Sequence, residues 1–186
     1  MRTSAIRPGP SRTRSAGQPA LRLAIQNGTG ATDLPAHSTI RRWLSHALRR
    51  PAELTVRFVG LAEGRRLNRT FRGRDYATNV LSFAYGDDAL GSPPDLRAAA
   101  AMPVPVIAGD IVLCVPVLRR EARVQAKTLR AHCAHLLIHG ALHLCGYDHE
   151  TDKDAKVMEA LETGLLDSLG YDDPYAAIRG NGVRVR

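Results

Sequence analysis

Residues 139–149 read HGALHLCGYDH, three histidines in eleven positions with one glycine between the second and third. No other segment constrains the fold as much. The pattern from about Thr128 to Cys145 predicts a helix, on which His139 and His143 stand one turn apart on one face, their Cβ atoms about 5 to 6 Å apart. Two imidazoles placed this way can point at one ion. Gly146 then ends the helix, because glycine enters the left-handed backbone region cheaply, and the chain can swing His149 back toward the same point. Three neutral imidazoles leave a fourth tetrahedral position for water, which is the arrangement of a catalytic rather than a structural zinc. One Zn2+ per chain is therefore the expected cofactor, and nickel or iron would also accept these ligands.

The same spacing occurs in metzincin peptidases, where a glutamate directly after the first histidine is the general base. Here that position is Gly140. The expected metal site thus lacks the group that peptide hydrolysis uses, which makes proteolysis a minor alternative. Asp148 and a metal-activated water are the candidates for a base. Cys145, two residues past His143, should face away from the ion and suits a small buried apolar role. His135 and His132 continue the helical row of His139 at i−4 and i−7. His135 reads either as an outer donor that orients a ligand or as a packed core histidine.

Length and composition fit one domain with loose ends. A chain of 186 residues with 44% apolar positions can build a single core but hardly two. Cys114, Cys133 and Cys145 lie inside apolar runs without regular spacing, as free thiols do in a reducing compartment. No apolar stretch approaches the roughly 20 residues that span a bilayer, and the first residues lack the apolar core of a secretory signal. A soluble, cytoplasmic protein is expected.

The net charge of +8 resides in the ends. Residues 1–22 hold five arginines and no acid, and Arg179, Arg184 and Arg186 lie beyond residue 173, whereas residues 23–173 balance 18 basic against 18 acidic side chains. Within that body, residues 41–74 carry ten arginines against Glu53 and Glu63, and residues 148–173 carry nine acids against Lys153 and Lys156. Such blocks read as solvated faces, or as a basic face that steers a polyanion set against an acidic one. Residues 1–20, rich in Pro, Gly, Ser and Arg, read as a disordered basic tail, with an organelle transit peptide as the alternative. Residues 176–186 read as a flexible basic tail.

Between the tails, LRLAIQ at 21–26 alternates as a strand does. Ile40, Trp43, Leu44, Ala47 and Leu48 then recur at helical spacing behind Ser38, the expected N-cap. ELTVRFVG at 53–60, NVLSFAY at 79–85 and GDIVLCVPV at 109–117 read as further strands, the last closed by Pro116. Helices are expected at 61–71, 116–125, 128–145 and 152–168, and a mobile loop at 86–105. The result is one α/β (α+β) domain with a mixed four-stranded sheet, about five helices and the metal site at the end of a helix.

Three blocks in order, LNRTFRGRDYATNVLSF at 67–83, GDIVLC at 109–114 and HGALHLCGYDH at 139–149, closely resemble the YbeY family of bacterial endoribonucleases. The resemblance continues through MEALETGLLDSLGYDDPY at 158–175 and covers residues 21–175. It implies a single-strand-specific, metal-dependent endoribonuclease that matures the 3′ end of 16S ribosomal RNA and serves ribosome quality control. The implied partners are single-stranded RNA, ribosomal RNA and the small ribosomal subunit, without DNA or membrane. It also implies that His139, His143 and His149 are zinc ligands and that Arg72 is the family's functional arginine. Ala77 and Ala84 depart from the family by standing where prolines are usual, which affects loop stiffness more than chemistry.

The chemistry is consistent with that implication. A guanidinium is always charged and meets two phosphate oxygens with parallel donors, so Arg72 suits the charge that builds on a phosphorane. Thr78, Asn79 and Ser82 are candidates to line an RNA groove, with Asn79 alternatively turning the chain into a strand, and Asp110 suits a turn at a strand start. The chain has only Trp43, three Phe and five Tyr, so recognition should lean on backbone charge and show modest sequence preference. Two rivals remain: a ribosome-assembly or RNA-binding factor with a structural zinc, and a metal hydrolase acting on another substrate such as a peptide.

Overall fold

The computed structural model describes residues 20–85 and 106–176. The two expected tails, apart from Ala20 and Ala176, and the expected loop at 86–105 lie outside these residues. Alternating branched residues give four strands, β1 (Leu21–Asn27), β2 (Ala52–Val59), β3 (Val80–Tyr85) and β4 (Ile107–Cys114). Five helices join them: α1 (His37–Ala47), α2 (Leu61–Arg72), α3 (Val115–Val124), α4 (Leu129–Leu144) and α5 (Asp152–Ser168).

The sheet order is β1-β2-β4-β3. The first three strands are parallel, and β3 runs antiparallel to β4 along the edge, with Phe83 opposite Asp110. The sheet is mixed because β1 reaches β2 by a helical crossover and β2 reaches β4 over a long connection, as parallel neighbours require.

Successive strand residues point to opposite faces, and each face has its own cover. Leu54, Val56, Phe58, Ile111 and Leu113 meet Ile40, Trp43 and Leu44 of α1 and Leu137 and Ile138 of α4 in the main core. Val59, Leu81, Val112 and Cys114 face the other way and pack against Val117 of α3 and Leu67 of α2. Helix α4 is central, since it touches β3, β4, α1, α3 and α5. Ten of its 16 residues are buried, which explains why its sequence is apolar nearly all round. Burying a side chain such as Ile138 contributes about 1.5–3 kcal/mol.

Two local expectations are corrected. Helix α1 starts at His37 with Ala36 as N-cap and no side-chain cap, and Ser38 sits inside the first turn. The Ala36 carbonyl takes the amides of Thr39 and Ile40, so the turn closes on backbone alone. Pro116 does not close the strand. β4 ends at Cys114 and Pro116 occupies the first turn of α3, where a missing N–H costs nothing.

Candidate metal centre

The site is built on the C-terminal end of α4. Thr128 starts this helix by accepting the amide of Ala131 on its hydroxyl, at 3.1 Å. The helix stops in a Schellman turn, in which Gly146 N–H donates to His143 O and Tyr147 N–H to Leu142 O. Gly146 has φ +88°, a conformation that favours glycine. The chain therefore doubles back, and the rings of His139, His143 and His149 converge with centroid separations of 4.6, 5.0 and 5.7 Å.

One nitrogen from each histidine lies within 4.8 Å of the other two, a group that could hold a metal ion. Nitrogens held at 2.0–2.1 Å by a tetrahedral zinc lie about 3.3 Å from one another. The Nε2 atoms of His139 and His143 are 3.2 Å apart. Burial, followed by the neighbouring His139 and His149, pushes the pKa of His143 down to about 4, so its ring is neutral near pH 7, as a ligand must be.

Behind His139 stands a carboxylate. Glu162 of α5 is fully buried, with Oε1 2.7 Å from His139 Nδ1 and Oε2 2.8 Å from His135 Nε2, and the Tyr175 hydroxyl donates to Oε2 at 2.5 Å. Burial raises the pKa of this carboxyl, but the hydrogen bonds from His135 and His139, with that of Tyr175, outweigh it and hold it down at about 2. An ionised acceptor requires His139 to carry its proton on Nδ1, which leaves the Nε2 lone pair free for an ion. His135 thus reaches the site through Glu162, not through a ligand directly.

Sequence reasoning missed Glu162. Its signal was a charged residue in a buried stripe, since Met158, Glu162 and Leu166 recur every fourth position and all three are buried.

The position of the missing glutamate has a packing reason. A Cβ on Gly140 would lie 2.9 Å from Ser82 Oγ and 3.0 Å from Ile111 Cγ2. Residue 140 faces the sheet, close against β3 and β4, so a glutamate there would be driven into the core. Of the candidate bases, Asp148 is exposed, with Oδ1 accepting the His149 amide at 2.8 Å and lying 3.9 Å from His143 Nδ1. It therefore stands behind His143, on the side away from Nε2. Cys145 packs against the main core, where burial pushes its thiol up to about 11, and it does not join the histidine group.

The other candidates divide. Asn79 Oδ1 accepts the amide of Val80 and the hydroxyl of Thr78, and its Nδ2 donates to Glu121 Oε2 at 3.0 Å. Glu121 also pairs with the buried His132 at 2.9 Å. Asn79 is thus engaged in starting β3. Ser82 faces α4 at Gly140, and Asp110 accepts the Tyr85 hydroxyl at 2.6 Å. Arg72 ends α2, exposed, on the face of the sheet opposite α4. Phe71 packs on Phe83 and Gly140 on Ser82, so two consecutive residues of β3 connect the end of α2 and the histidine turn from opposite faces. A cavity of about 210 Å³, lined in part by His139, His149, Met158, Glu159 and Tyr175, adjoins the histidines.

Fold and site together define an α/β domain with a three-histidine group that could hold a metal, one histidine of which is oriented by a buried carboxylate. Comparison with known proteins narrows the class. The family model described as Endoribonuclease YbeY matches residues 25–170, and the chain belongs to this family.

Proteins named Endoribonuclease YbeY from Cupriavidus metallidurans, Nitrosomonas eutropha and Aromatoleum aromaticum are 49%, 49% and 51% identical to it. These matches cover 87%, 82% and 84% of this chain and 76%, 97% and 93% of the relatives. A Thermotoga maritima protein solved in solution shares the fold, with a TM-score of 0.52 and 23% identity over 86% of this chain and 93% of that one.

Proposed function

We propose that this chain is a single-strand-specific, zinc-dependent endoribonuclease that matures the 3′ end of 16S ribosomal RNA on the small ribosomal subunit and serves ribosome quality control in the cytoplasm. Membership of the YbeY family supports the reaction class. The observation that carries the reading is the convergence of His139, His143 and His149, with Glu162 setting the tautomer of His139.

When bound, zinc supplies Lewis acidity, polarising a phosphoryl oxygen and making water more acidic. The chain supplies the rest. His139, His143 and His149 present three ligand nitrogens, and Glu162 keeps a proton on His139 Nδ1. Arg72, at the exposed end of α2, is assigned to the non-bridging phosphate oxygens, whose charge grows in the transition state. Phosphodiester cleavage gains most from stabilising that charge, so the site can work with glycine at residue 140. A structural zinc takes four protein ligands. Among the described residues neither Cys145 nor Asp148 joins the three histidines, which favours catalysis over a structural role.

The test is to incubate purified protein with small subunits that carry an unprocessed 16S 3′ end. A shortened 3′ end with the wild-type protein and none with His143→Ala is expected. Unchanged RNA with both would overturn the assignment to 3′-end maturation.

A further inference from the structure

Trp43 and Phe58 are used in the core, yet several other rings are left at the surface. Phe71 is 60% exposed, Tyr85 56% and Tyr76 54%. Three of the chain's aromatics gather on one face of the edge strand. Phe71 meets Phe83 edge to face, with centroids 4.9 Å apart. Tyr85, two residues further along β3, points to the same face and is held there by its hydroxyl bond to Asp110. Phe83 is half-buried against the second core cluster and anchors the group, while Phe71 and Tyr85 expose much of their apolar surface.

The charge beside them is positive and mostly uncompensated. Asp75 is taken up by both guanidinium arms of Arg65, at 2.8 and 2.6 Å, and Glu63 by Arg57 at 2.7 Å. Arg72 and Arg74 are exposed and form no ion pair among the described residues. Rigid rings flanked by free guanidinium groups match the chemistry of an unpaired nucleic-acid strand, with π-faces for the bases and positive charge for the phosphates.

We propose that Phe71, Phe83 and Tyr85 form a stacking ledge for the bases of single-stranded RNA, with Arg74 holding its phosphates beside the Arg72 already assigned to the cleaved one, and that this ledge selects unpaired substrate. The inference rests on the RNA reading above. Bases in a duplex are already stacked on each other and cannot occupy the ledge. Every base has a π-face, so the ledge discriminates strandedness and not sequence, in keeping with modest sequence preference. Asp110 repels phosphate at the Tyr85 end, so the backbone runs toward the arginines. From the ledge the strand passes over the edge of β3, whose other face at Ser82 lies against the helix turn that carries His139 and His143.

The test is the anisotropy of a labelled single-stranded oligoribonucleotide and of its duplex with full-length, zinc-loaded protein, read before turnover. Phe71→Leu and Tyr85→Leu keep apolar bulk but lose the ring, and each should weaken single-strand binding by roughly 5- to 100-fold. Phe71→Trp should retain it, and duplex binding should be unchanged throughout. Arg74→Gln should flatten the salt dependence of binding, whereas the ring variants should leave its slope intact.

Leucine variants that bind single strands like the wild type would overturn the ledge, as would equal losses for single strand and duplex. Normal RNA binding with loss of a protein partner would also overturn it, by making this face a protein contact. A wild-type protein that neither binds nor cleaves single-stranded RNA would instead overturn the RNA reading itself.

Discussion

Oε1 of Glu162 lies 2.7 Å from Nδ1 of His139, so a fully buried carboxylate on one helix sets the tautomer of a histidine on another. Partners of this kind typically change metal affinity 10- to 100-fold when removed. Glu162→Gln keeps the size of the side chain but loses the charge, and it should raise the zinc dissociation constant by about that factor while the protein stays folded. Competition against a chromophoric chelator measures this. Unchanged affinity would mean that Glu162 serves only packing.

The close approach at Gly140 predicts a cost for any side chain there. On an exposed helix Gly→Ala stabilises by about 1 kcal/mol. Here the new Cβ would press on Ser82, whose hydroxyl can turn away, and on Ile111, whose branched side chain is stiff. Overpacking costs about 1–3 kcal/mol, so Gly140→Ala should be net destabilising in urea unfolding, and Gly140→Glu more so. Neither should acquire peptidase activity. A stabilised Gly140→Ala would contradict the packing described for α4.

His132 predicts a pH dependence of stability. Burial, only partly offset by Glu121, lowers its pKa below the ordinary value of 6.5. As pH falls below 6.5 the unfolded chain therefore takes up a proton that the folded protein resists. Stability from this residue is complete above pH 6.5 and is lost as pH falls from there through the lower, folded value. The urea midpoint should decline over that range, and His132→Asn, which cannot titrate, should show a shallower decline. An equally steep decline in the variant would assign the effect to other groups.

Much of this was legible in the sequence because it is written at short range. Period-two runs marked the strands and period 3.6 the helices, and the glycine after His143 announced a turn whose geometry the Schellman bonds account for. What could not be read depends on contacts between distant segments. Ser38 has the chemistry of a cap, but α1 closes on the backbone of Ala36. For Asn79 the sequence left open an RNA contact or a turn into a strand; its Oδ1 accepts the Val80 amide at the start of β3, and its bond to Glu121, 42 residues away, could not be read locally. Glu162 was one more acid in an acidic stretch until α5 packed along α4 and buried it beside two histidines.

Under the proposed function the three histidines hold a zinc ion and the protein cuts RNA with the help of Arg72. The most direct measurement pairs metal content by mass spectrometry with cleavage of single-stranded RNA, for the wild type, His143→Ala and Arg72→Ala. The wild type should carry about one zinc per chain and cleave. His143→Ala should lose both metal and cleavage, and Arg72→Ala should keep its metal and lose cleavage. A His143→Ala protein that retains its zinc and cuts RNA at the wild-type rate would contradict the account, and an Arg72→Ala protein that cleaves normally would remove Arg72 from it.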